Sequence, residues 1–155
     1  MSMETHNTPR GELSEGDIHR LLGYQLAQTS IVTTHAFEHE VGRPLGLRPV
    51  EFTILQLVRE NRAVSPTRLS QALDMTVPGI KSWVDRLEAR GLVRRSASTK
   101  DRRSQQIEVT KEGASFVADA LKRLLKADQQ LLGGLSVGEQ HMLLELLRKV
   151  RARRP

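Results

Sequence analysis

Arg90, Arg94, Arg95, Lys100, Arg102 and Arg103 fall within fourteen consecutive positions, and Asp101 is the one acidic residue among them. Such a run either concentrates positive potential where a polyanion docks or forms a solvated charged face. A second group implies different chemistry. His35-Ala36-Phe37-Glu38-His39 matches the H-x-x-E-H string of inverted zinc peptidases, in which two histidines four apart on a helix share one metal. Three fixed positions in five are a weak signature, and nothing downstream supplies a further acidic ligand in a recognisable context. His35 and His39 are therefore candidate ligands of a regulatory metal site, against the commoner fate of a solvated or pocket-lining pair. No Walker loop, dinucleotide fingerprint, Ser-His-Asp constellation or carboxylate dyad stands beside them. The chain is expected not to be an enzyme and to need no cofactor.

The elements that position these groups come from a chain of 155 residues, 38% hydrophobic and 27% charged, enough for one domain with an apolar core. The absence of cysteine excludes disulfides, thiolate-bound metals and thiol chemistry. Apolar runs are short and the first dozen residues are polar, so neither a membrane span nor a secretory signal is expected, and the cytoplasm is the expected compartment. Charge is unevenly spread. Residues 1–46 carry 3 basic and 6 acidic side chains, residues 47–111 carry 13 and 7, and residues 112–155 carry 8 and 5. The middle segment is the cationic one.

Apolar periodicity predicts a mainly α fold with one small β-hairpin. Ser14, with Asp17 three residues on, caps a long first helix expected to reach about Val41 and to end at Gly42 and Pro44. Its apolar residues cover more than one stripe, which suggests packing on its own domain and on a second copy. Pro49 opens a second helix with Val50, Ile54, Leu57 and Val58 on one face. Ser65 and Pro66 start a short third helix with Leu69, Ala72 and Leu73 inward. A tight turn at Asp74 and Met75 leads to Thr76, the cap of a fourth helix that buries Ile80, Val84 and Leu87 and stops at Gly91. Two helices joined in this way form a helix-turn-helix. Leu92–Arg95 and Gln106–Val109 then read as strands around a polar tip, Ser96–Gln105. Thr110 caps a fifth helix closed by Gly133 and Gly134. Ser136 and Glu139 form a capping box for a last one bearing Met142, Leu143, Leu146, Leu147 and Val150.

Two segments, Val84–Arg95 (VDRLEARGLVRR) and Lys100–Gly113 (KDRRSQQIEVTKEG), resemble in order and spacing the MarR family of bacterial winged helix-turn-helix transcription regulators. The likeness spans about residues 14–150. It implies a winged helix-turn-helix domain at residues 47–111, flanked by a dimerisation helix at 13–46 and C-terminal dimerisation helices at 112–155, after a flexible start at 1–12. It further implies a homodimer on double-stranded DNA, most often a repressor on a pseudopalindromic operator, with a small aromatic or carboxylate effector in many members.

On that reading the fourth helix presents Thr76, Val77, Pro78, Gly79, Lys81, Ser82, Asp85 and Arg86 to DNA, its free N–H groups favouring a phosphate. Family members commonly carry polar residues at the positions of Pro78 and Gly79, so base reading here would rest on Lys81, Ser82 and apolar contact from Val77. The competing reading of Pro78 is that it only fixes the first turn. Trp83 is expected to flank the core or the wing. The wing tip, Ser98, Thr99, Lys100, Asp101, Arg102, Arg103 and Ser104, would place arginine along the minor groove, with Asp101 holding a neighbouring arginine. Ser65, Thr67 and Arg68 would meet phosphates. Gln25, Thr29, His35 and Arg48 are candidates for an effector pocket. The competing class is a winged-helix scaffold that binds RNA or protein, and salt dependence separates the two.

Overall fold

Four helices begin where the chain supplies a side-chain oxygen for otherwise unpartnered N–H groups. Ser65 Oγ accepts from the Arg68 N–H at 3.3 Å and Thr76 Oγ1 from the Gly79 N–H at 3.2 Å. Thr110 Oγ1 accepts from the Gly113 N–H at 2.9 Å, and Ser136 Oγ from the Glu139 N–H at 3.3 Å. Glu139 returns the interaction by accepting from the Ser136 N–H at 2.7 Å, which completes the expected capping box. The computed structural model describes residues 6–97 and 105–153. In chain order it contains a 3-10 turn (Gly16–Arg20), α1 (Leu22–Phe37), a π turn (Glu38–Gly42), α2 (Arg43–Leu45), α3 (Pro49–Asn61), α4 (Pro66–Leu73) and α5 (Val77–Ala89). Strands β1 (Val93–Ala97) and β2 (Gln105–Val109) follow, and then α6 (Lys111–Leu131) and α7 (Val137–Arg151).

The first helix differs from expectation at both ends. Ser14 caps nothing: it bridges to Asn7, and the Thr8 N–H donates to the Leu13 carbonyl at 2.9 Å in a small fold-back. Gly11, Glu12 and Gly16 all adopt positive φ there, and extended Leu21 (φ -83, ψ 121) separates the 3-10 turn from the α-helix that begins at Leu22. At the other end neither Gly42 nor Pro44 stops the chain. Phe37 and Val41 are buried, and the widened π turn before Pro44 accommodates a ring that has no N–H to donate. The stop is Gly46, in the left-handed region at φ 58.

The core lies beneath the helix-turn-helix. Ile54, Leu55 and Val58 of α3 meet Leu69, Ile80, Val84 and Leu87, closed by Leu92, Ile107 and Val117. Each such side chain contributes about 1.5–3 kcal/mol by leaving water. Ala72, expected inward, is exposed; Leu69 and the half-buried Leu73 carry the inner face of α4 instead, with half-buried Met75 of the following turn packed beside them. The β1–β2 hairpin pairs Val93 with Val109, Arg95 with Ile107 and Ala97 with Gln105. It thus reaches further into the polar tip than apolar residues alone indicated, helped by Ser96 Oγ donating to Glu108 at 2.8 Å. Val64 bridges to the other edge of β2, exchanging hydrogen bonds of 3.0 and 2.9 Å with Ile107. In contrast, α1 and α7 show apolar residues to solvent, and α7 contains no buried residue.

Candidate nucleic-acid interface

Burial of Ile80, Val84 and Leu87, none more than 1% exposed, fixes the rotation of α5 about its own axis. Lys81, Ser82, Asp85 and Arg86 consequently face outward with Thr76 and Pro78, while Val77 and Gly79 are half-buried. Gly79 has a local reason to be small. A Cβ there would sit 3.2 Å from Thr76 Oγ1, crowding the atom that caps the helix. Pro78 lies in the first turn, where its missing N–H costs nothing. At the start of α4, Thr67 and Arg68 are exposed, and Ser65 Oγ caps the helix. The tip residues Ser98, Thr99, Lys100, Asp101, Arg102, Arg103 and Ser104 lie outside the described residues.

The cationic run is not a single free patch. Arg94 donates twice to Glu108 across the hairpin, at 2.9 and 2.6 Å. Arg95 is held by Asp85 and Glu88, and its backbone N–H donates to Glu88 at 3.2 Å. Arg90 donates to the carbonyls of Gly46 and Leu45 at 2.9 and 3.0 Å. The linear sequence shows Asp101 as the one opposing charge, but folding brings three more carboxylates, from α5 and β2, onto these arginines. Ser96 and Arg94 together hold the Glu108 carboxyl below the ordinary glutamate range. Asp85 accordingly tethers the hairpin to α5 besides lying on its outward face. Lys81 and the Arg68 guanidinium have no ion-pair partner among the described residues.

Arg86 is drawn sideways. Its Nε lies 3.4 Å from the buried Glu51, whose other oxygen accepts the Arg48 N–H at 2.8 Å. The guanidinium groups of Arg86 and Arg48 lie 5.2 and 5.6 Å from the centre of the Trp83 ring, so Trp83 flanks the core as a cation–π platform. Glu51 was not singled out from the sequence. Its place three residues after the N-cap Arg48 is a legible capping signal, but the arginine it meets comes from another helix.

Of the effector candidates, His35 lines an open cleft of about 440 Å3 with Ala36, His39, Glu40, Ala127, Gln130 and Leu131. Gln25 donates to the His19 carbonyl at 2.6 Å and Thr29 to the Gln25 carbonyl at 2.7 Å, both away from that cleft's lining, and Arg48 lies beside Trp83. The fold of one chain does not gather the four. His39 Nδ1 is 2.9 Å from Glu40 Oε1, and among the described residues no group of three metal-ligating side chains forms around the histidine pair. No described helix is long and apolar enough to cross a membrane.

Comparison with known proteins converges on one family. The MarR family sequence model matches residues 47–105. The transcriptional regulator HosA of Escherichia coli is 28% identical over 127 residues, covering 82% of this chain and 92% of HosA. The HTH-type transcriptional repressor NicR of Pseudomonas putida is 28% identical over 134 residues, covering 86% and 84%. Among solved structures, the transcriptional repressor CouR, bound to a 23-mer DNA duplex, superposes with a TM-score of 0.82 at 30% identity over 90% of this chain and 99% of that one. With its capped helix-turn-helix, its hairpin and its flanking helices, this chain belongs to the MarR family.

Proposed function

We propose that the chain is a cytoplasmic, homodimeric, sequence-specific DNA-binding regulator that represses transcription by occupying a pseudopalindromic operator. The observation that carries this reading is the outward edge of α5, where Lys81 and Ser82 project from a helix whose opposite face is locked in the core. Lys81 donates to guanine O6 or N7, Ser82 reads either base class, and Val77 meets a thymine methyl. Thr76, Ser65, Thr67 and Arg68 hold phosphates at the N-termini of α5 and α4. Arg102 and Arg103 follow the minor groove. The likeness to CouR, solved on a DNA duplex, supports the assignment, and the repressor names of CouR and NicR support its sign.

The exposed apolar residues supply the dimer. Leu22, Leu26, Ile31 and Val32 of α1 are 43–63% exposed, and Met142, Leu144 and Leu146 of α7 are 50–59% exposed. Apolar side chains left bare on two helices mark an interaction surface; a second copy covers it and sets two α5 helices side by side. A small aromatic or carboxylate effector bound between the dimerisation helices and the winged helix would release DNA by favouring another separation of the two α5 helices. Of the four effector candidates, His35 faces an existing cleft.

Light scattering on the purified protein, followed by titration of a DNA duplex and an RNA hairpin over a range of salt, tests the proposal. The expected result is a dimer whose duplex affinity falls by roughly one log unit per log unit of salt for each phosphate neutralised. A monomer, or an RNA affinity above that for duplex, would overturn it.

A further inference from the structure

Arg90 falls within the cationic run, yet its donors point into the protein. It stands at the C-cap of α5, one turn beyond Arg86. One guanidinium nitrogen donates to the Gly46 carbonyl at 2.9 Å, the other to the Leu45 carbonyl at 3.0 Å, and the group lies 5.3 Å from the centre of the Phe116 ring. A single side chain therefore touches α5, the end of the N-terminal arm (α1 to α2, residues 22–45, closed by Gly46) and the first turns of α6. Its two acceptors are the carbonyls where α2 stops, groups that the helix itself leaves without donors. A planar two-pronged donor across adjacent carbonyls fixes orientation in a way a point charge does not. One turn back, Arg86 faces Glu51, which holds the Arg48 N–H. The junction from the end of α2 through the first turn of α3, residues 45–51, is thus gripped near both ends by one face of α5.

We propose that Arg90 is a positioning residue that sets the angle of α5 against the N-terminal arm and, through the dimer, the separation of half-sites the protein accepts. This rests on the dimeric operator-binding reading given above. Moving one half-site by a single base pair shifts it about 3.4 Å along the duplex and turns it by roughly a tenth of a turn. A tethered helix rejects that displacement and a loosened one follows it. Because the Arg90 donors are engaged with carbonyls, removing them leaves the base-reading edge of α5 unchanged. Arg90 itself is solvent-exposed, so its loss leaves the buried core intact.

The test is selection from a library in which the half-site enriched by the unaltered protein is presented as an inverted repeat with its separation varied one base pair at a time. Arg90→Ala should keep the half-site sequence while its preference for the best separation over its neighbours falls about tenfold. Arg90→Lys keeps the charge without the fork and should lie between. Arg123→Ala, which removes a cation paired with Asp119 on α6, should match the unaltered protein. An unchanged separation profile for Arg90→Ala would overturn the proposal, as would lost half-site preference with separation retained, since Arg90 would then be reading bases. Melting curves and masses establish folding; should Arg90→Ala not fold, an unchanged profile for Arg90→Lys overturns the proposal equally. Failure of the unaltered protein to enrich any inverted repeat would overturn the operator reading itself, and that is seen before any variant is examined.

Discussion

Replacing Gly113 with alanine should destabilise the protein, although helix propensity alone predicts the opposite. Gly113 is buried in the first turn of α6, and an added Cβ would lie 1.9 Å from the Leu92 carbonyl oxygen and 2.8 Å from its carbon. A close C···O contact is about 3.3 Å, so the root of the hairpin must retreat by more than about 1 Å. That same oxygen accepts the Thr110 N–H at 3.1 Å, and the retreat breaks this bond. Overpacking costs about 1–3 kcal/mol and the lost hydrogen bond about 1 kcal/mol, against a gain of at most about 1 kcal/mol from exchanging Gly for Ala in a helix. The net expectation is a loss of about 1–3 kcal/mol, or a Tm lower by about 3–10 °C for a chain of this length. Far-UV circular dichroism melting reads it, at one fixed protein concentration because a dimer's Tm depends on concentration. An unchanged or raised Tm would refute the reasoning, since it would mean that the hairpin root does not rest against α6.

Three further outcomes are expected. Lys81→Ala should reduce discrimination between operator sequences by about 1–3 kcal/mol at one base pair, while Arg103→Ala should weaken binding to all sequences and lower the salt slope by about one; competition titrations at several salt concentrations separate the two. Glu51→Ala should cost about 1–3 kcal/mol in denaturant unfolding, mostly because it strips the Arg48 N–H of its acceptor; the lost counter-charge of Arg86 adds little, since Arg86 is half in solvent. Glu108 gives a pH dependence. Ser96 and Arg94 depress its folded pKa below the unfolded value, so its contribution to the hairpin is complete above the ordinary glutamate range and disappears as pH falls through the depressed value. Protection of the β1 and β2 amides against hydrogen exchange, taken relative to the intrinsic exchange rate at each pH, should therefore fall on acidification, and Glu108→Gln should remove most of that pH dependence.

Caps and core periodicity were legible in the sequence because they are local. Ser65, Thr76, Thr110 and Ser136 each sit three residues before the N–H they accept, and Ile80, Val84 and Leu87 keep the helical period. The start of the first helix was misread because Ser14 and Asp17 imitate a cap, while the positive φ at Gly11, Glu12 and Gly16 bends the chain back. Its end was misread because Gly42 and Pro44 look like a stop, whereas buried Phe37 and Val41 and a π turn carry the helix through. The electrostatics were least legible. Glu108 is fourteen residues from Arg94, and the carbonyls that Arg90 meets are 44 and 45 residues away. Which arginines face a polyanion is decided by such long-range partners, and no window along the chain contains them. The outward set of α5 followed from its period, whereas the sideways course of Arg86 required Glu51 from another helix.

The central claim, that α5 reads DNA as one of a symmetric pair, is tested most directly by incubating the purified protein with a fragmented genomic or random DNA pool at near-physiological salt and sequencing what is retained. The account predicts an enriched inverted repeat with half-sites about one helical turn apart, lost when Lys81 and Ser82 are both replaced by alanine. Retention without sequence enrichment, or enrichment that survives that double replacement unchanged, would contradict it.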